Sequence, residues 1–156
     1  MSHKKIGRWL KIIIILMGLL AFSISAILSL MLIVSDAPEI EAIRIPWMAF
    51  LWSTEIPVVP AVIFSFLTAR LIGKGRPFCT ENSKYLHRIA VCSGIDAAWV
   101  FIGNIIMLFL NMSHPSVLLF SMVVVLIGVS IVVAGQGLSV LIKNAAELQE
   151  ESELTI

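Results

Sequence analysis

Charge is what this sequence most lacks. Only 13% of its 156 residues are Asp, Glu, Lys or Arg, against 59% hydrophobic, whereas soluble domains are about 25% charged and about 45–50% apolar. So few charges cannot keep that much apolar surface in water, which excludes a soluble globular protein. Cysteine is scarce too. Cys79 and Cys92 are the only two, they form neither a CxxC pair nor a zinc-ligand spacing, and they read as free thiols. Histidine is limited to His3, His87 and His114, at the terminus and at opposite ends of the apolar runs, so no metal site is expected. A nucleophile elbow and an HExxH are also missing. Gly73, Lys74 and Gly75 lack the GxxxxGK spacing of a phosphate loop and have no strand before them. No enzyme, cofactor or direct nucleic-acid binding is expected.

What remains is apolar sequence in four long runs. Spanning the hydrocarbon core takes about 20 mostly apolar residues. The runs place spans at about 10–34, 47–72, 89–110 and 117–142, leaving no room for a second domain. The start of the chain, with Lys4, Lys5, Arg8 and Lys11 before an apolar run, imitates a signal peptide. A cleavable apolar core is only about 7–15 residues long, however, and this run is longer, so it reads as a first span. Residues 35–46, with three acids and two prolines, read as an external loop. Glu55, Pro57 and Pro60 interrupt the outer half of the second span, which is expected to be bent or locally unwound. After Pro77, Thr80 is placed to cap a short juxtamembrane helix leading into the third span, with Glu81 near its positive end. Residues 143–156 have no helix breaker and read as an acidic helical extension of the fourth span.

Orientation follows from Lys and Arg in short loops, which stay on the cytoplasmic side. The N-terminus and the 70–88 region hold nearly all of them, and Arg44 stands alone on the other side. The fold class is therefore all-α, an integral membrane four-helix transmembrane bundle with both termini in the cytoplasm, in the plasma membrane and in contact with lipid.

Ionisable groups at membrane depth are functional candidates by default. By helical rise Glu55 lies roughly 12 Å below the outer boundary, Asp96 roughly 10 Å above the inner one, and Asn104 near the level of Glu55. A Glu55–Asn104 hydrogen bond is thus possible, whereas Glu55 and Asp96 are expected on different levels. Asp96, Gly103 and Asn104 share one face of the third span. Ser121, Gly128, Gly135, Gln136 and Ser139 form a stripe on the fourth, as do Ala21, Ser25 and Ser29 on the first and Ala61, Ser65 and Ala69 on the second. Such stripes serve close helix packing. Glu55, Asp96, Asn104 and Gln136 form the candidate intramembrane site. Its two readings stay open: carboxyls satisfied by neighbouring helices, or a proton-coupled or ligand-binding group.

Residues 76–90, RPFCTENSKYLHRIA, and 147–156, ELQEESELTI, resemble the bacterial domain-of-unknown-function 2975 family of small four-span membrane proteins. That family has a proline-phenylalanine, glutamate-asparagine and leucine pattern between spans two and three, and a glutamate-rich end. Cys79 and His87 depart from it, standing where polar or basic residues are more usual. The resemblance carries no activity with it. It implies a neighbouring helix-turn-helix regulator as partner, since members are often encoded beside one. The expectation is a non-enzymatic signalling or sequestering protein. Its partner surface would comprise Lys74, Arg76, Lys84 and Arg88 with Glu147, Glu150, Glu151 and Glu153. The alternative is a small proton-coupled transporter or ligand-binding protein, working as a homo-oligomer and using Glu55 or Asp96.

Overall fold

The computed structural model describes residues 3–154, with side chains described over 3–152. Four helices account for nearly all of it: α1 (His3–Val34), α2 (Pro38–Gly73), α3 (Thr80–Phe109) and α4 (Pro115–Leu154). All four are long and apolar enough to cross a membrane. The all-helical, four-span expectation holds. At about 1.5 Å per residue, the 40 residues of α4 are about twice as long as a hydrocarbon core of about 30 Å is thick. The acidic end therefore continues the last span as helix beyond the apolar layer.

Three sequence expectations need correction. The 35–46 stretch is not a loop, because α2 already begins at Pro38 and only residues 35–37 lie between α1 and α2. Proline at the first helical position loses no hydrogen bond the helix needs, and Glu39 and Glu41 in the first turn sit favourably at the positive end of the dipole. The second span is not unwound either. Pro46, Pro57 and Pro60 lie inside a continuous α2, since in lipid a broken helix leaves far more backbone unsatisfied than three missing N–H groups. The juxtamembrane helix is the first turns of α3 itself. Its cap is Cys79, in extended conformation and without a side-chain cap bond, not Thr80.

The connections are tightly specified. After α2, Gly75 takes φ +75 while the N–H of Gly75 and of Arg76 donate to the carbonyls of Ile72 and Leu71, the Schellman geometry that favours glycine. Asn111, φ 55, ends α3 in the same way, with bonds from Asn111 and Met112 to Leu108 and Met107. Trp47 on α2 donates its indole N–H to the Met112 carbonyl at 2.6 Å, holding that turn. Arg44, the lone cation at this end, donates to the carbonyls of Leu32 and Ser35, both at 2.9 Å. It is occupied in satisfying the C-terminal carbonyls of α1, where a cation also suits the dipole.

Among the described residues the helix backbones approach closely only between chain neighbours, α1 with α2, α2 with α3 and α3 with α4. Lipid supplies no hydrophobic force to push helices together, so small residues must set the spacing. Between α3 and α4 they do so every seventh residue of α3, met on α4 by Gly128, Gly135 and, one turn beyond, Ser139. Ser83 and Ser139 exchange hydroxyl-to-carbonyl bonds at 2.8 Å. Gly135 lies against Ala90, and Gly128 against Ala97. Asn104 and Ser121 extend the two series and are also buried. A seven-residue repeat keeps one seam in register along antiparallel helices. On α2, Phe50 packs against Gly103 of α3.

Candidate functional site

Glu55 is held by α1. Ser25 donates its hydroxyl to Glu55 Oε1 at 2.6 Å, and one turn further Trp52 donates to Ser29 Oγ at 3.1 Å. The Glu55–Asn104 bond that depth arithmetic allowed is not formed. Asn104 instead donates to Val100 O of its own helix at 2.8 Å, and its Oδ1 is buried without a partner. Equal depth does not make two residues neighbours: Ser25 lies on the helix packed against the Glu55 face of α2.

Asp96 faces a cavity of about 310 Å³ lined from α1 by Gly18 and Ala21, from α2 by Pro57 and Ala61, and from α4 by Ile131. Its Oδ1 is buried without a hydrogen-bond partner. Glu55 is not among the residues that line this cavity. The face expected for Asp96, Gly103 and Asn104 divides. Gly103 abuts α2, Asp96 the cavity, and Asn104 continues the seam with α4. Gln136 does not join them; its Oε1 lies 2.9 Å from His87 Nδ1 on α3.

At the opposite, basic end, the loop after α2 and the extension of α4 meet. Arg76, Phe78 and Cys79 line a groove of about 550 Å³ together with Ala146, Gln149 and Glu150. Arg76 and Glu150 are thus brought to one site. Lys74 lines a separate groove beside Glu81 and Tyr85, and Arg88 stacks over Phe64 at 5.2 Å. Lys84, Glu147 and Glu151 are exposed, with Glu147 3.7 Å from Lys143 in the same helix. Glu153 lies outside the described side chains.

Sequence reasoning missed Asn82. It is 1% exposed, it donates to Pro77 O at 2.7 Å, and its Oδ1 is buried without a partner. It ties the 76–79 loop to α3, and the only available signal was its place in the glutamate-asparagine motif. Ser83 carried no signal of its own either. Its role appears only once α3 is aligned on α4.

No curated protein and no solved structure matches this chain. The family described as Protein of unknown function (DUF2975) matches residues 33–156, from the last turn of α1 through α2, the 74–79 loop, the α3–α4 hairpin and the acidic end. This stretch is well over half of the sequence, and the chain therefore belongs to that family.

Proposed function

We propose that this is a non-enzymatic protein of the plasma membrane, with both termini in the cytoplasm, that holds a small basic helix-turn-helix regulator at its charged end. The observation that carries the reading is the groove between the 75–81 loop and the α4 extension. Phe78, 58% exposed, stands on one side of it. Glu150, exposed, stands on the other, in a helix long enough to clear the apolar layer. An exposed aromatic beside acidic side chains suits a basic partner with an apolar anchor. Exposed ion pairs are worth only about 0–1 kcal/mol each, so such a partner stays exchangeable. Affinity capture from membranes should recover a small basic protein. Replacing Glu147, Glu150, Glu151 and Glu153 by Gln should release it without disturbing insertion, and full retention by that variant at physiological salt would overturn the electrostatic reading.

A second reading rests on Asp96. A carboxyl with an unpartnered oxygen on an intramembrane cavity is an arrangement that a proton-coupled transporter uses. Substrate-dependent proton flux in vesicles that is abolished in Asp96→Asn would favour it. Regulator release with no such flux favours the first.

A further inference from the structure

We propose that the groove between the basic ends of α1 and α2 binds the phosphate of an anionic lipid headgroup. The groove exists because Gly7 has no side chain. A Cβ there would lie 2.8 Å from Gly73 N and 3.0 Å from Ala69 O, so the two helices meet backbone to backbone. Around that contact Lys4, Arg8 and Lys11 from α1, Arg70 from α2 and Lys74 from the α2 C-cap line a groove of about 300 Å³.

The positions are more specific than orientation needs. The positive-inside rule counts cations near a span but does not place them on one face. Here the α1 cations are spaced i, i+4, i+7 and those at the α2 end i, i+4, so each set forms a row along its helix. Both rows border the same crossing. The groove lining contains no carboxylate. Five like charges around one concavity repel one another unless an anion sits among them. Arg8 and Arg70 offer planar, bidentate donors suited to phosphate oxygens, and the lysines add compact charge.

The depth selects a lipid over a free anion. Lys4 to Lys11 covers about 10 Å of helix axis, enough to reach across the roughly 5–8 Å of headgroup layer on one side of the hydrocarbon core. The Lys11 ammonium already sits 5.2 Å from the Phe66 ring centroid, at the apolar edge. One turn beyond Lys11 on α1, and two turns before Arg70 on α2, the exposed side chains are Ile15 and Ile63. A phosphate in the groove therefore has apolar surface directly beneath it for acyl chains. Basic pockets between spans are known lipid-headgroup sites in general.

The test uses the full chain in phosphatidylcholine nanodiscs, with phosphatidylglycerol titrated in and retained lipid read by native mass spectrometry. The wild type should retain phosphatidylglycerol, and millimolar inorganic phosphate should not displace it. Each cation near such a headgroup is worth about fivefold in affinity. Arg8→Gln with Arg70→Gln should therefore weaken retention about 25-fold, and Lys84→Gln with Lys143→Gln, equal in charge but outside the groove, less than about threefold. Arg8→Gln with Trp9→Arg keeps total charge and orientation but turns one cation about 100° round the helix; it should cost about fivefold. Equal loss in the two double charge-removal variants, or undiminished binding in the charge-conserving one, would overturn the site in favour of diffuse attraction. Displacement by inorganic phosphate would overturn the lipid assignment, and no retained lipid on the wild type would overturn both.

Discussion

Replacing Gly128 by alanine puts a methyl carbon 2.9 Å from the Cβ of Ala97. Carbon atoms in contact prefer about 3.5–4.0 Å, so the α3–α4 seam must open by the better part of an ångström or shift in register. Overpacking of this kind costs about 1–3 kcal/mol. Gly137 lies two turns and a half further along the same helix, and a Cβ there meets nothing within 4 Å. Gly137→Ala should therefore gain the roughly 0.5–1 kcal/mol that alanine offers over glycine inside a helix. The two substitutions are chemically identical and should move stability in opposite directions. Unfolding from mixed micelles by increasing anionic detergent, followed by circular dichroism, measures both. The seam also predicts rescue, because Ala97→Gly removes the atom that the new methyl meets. Combining it with Gly128→Ala should return part of the loss, a coupling within the range of about 0.5–3 kcal/mol seen for touching residues. If Gly128→Ala is no worse than Gly137→Ala, or if Ala97→Gly deepens the loss, the seven-residue seam is not what holds these helices together.

Trp47→Phe keeps the ring but loses the 2.6 Å bond to Met112 O. It should cost about 0.6–1.7 kcal/mol, the range for polar bonds between spans, and speed amide exchange at residues 111–112, whereas unchanged exchange there would show the indole to be a bystander. Glu55→Gln retains an oxygen able to accept from Ser25 and should accumulate in membranes nearly as wild type. Glu55→Leu should accumulate less, and equal yields of the two would mean that the Ser25 bond contributes nothing. A reporter active only outside the cytoplasm should be silent when fused after Ile156 and active when inserted within residues 36–44; the opposite pattern would reverse the proposed orientation.

The spans were legible because length and hydropathy alone define them, and the α3–α4 turn because its polar residues are few and contiguous. The α2 start was not. Asp36, Pro38, Glu39 and Glu41 carry the composition of a loop, yet Pro38 and the two glutamates are what a helix start wants, and only the backbone separates the two meanings. The α4 stripe of Ser121, Gly128, Gly135, Gln136 and Ser139 points to packing, which its glycines and Ser139 carry out while Gln136 pairs with His87, but its counterpart is not legible in the sequence. Ser83, Ala90 and Ala97 look unremarkable until α3 lies alongside. Polar pairing was the least legible. Helical rise gave Glu55 and Asn104 the same depth, but depth is one coordinate of three, and neighbour order among helices is not written in any single span.

That neighbour order bears on how a four-span protein of this kind could pass a signal. The seam between α3 and α4 is closed by small residues along its length and by the paired serines. The α1–α2 seam is closed at Gly7 and Gly73 and again at Ser25 and Ser29, with the Asp96 cavity bordering the stretch between. Without a hydrophobic force between helices in lipid, the helix with one neighbour and an interrupted seam is the one most easily displaced. Its basic end touches α2 at Gly73, two residues before the Schellman turn at Gly75. If lipid at the proposed cationic groove, or a change at Glu55, displaced α1, the residue from which the 74–79 loop departs would be the first on α2 to lose its contact. That loop forms one side of the groove beside the acidic extension, so the membrane-facing seam and the proposed docking surface are joined through a single helix end.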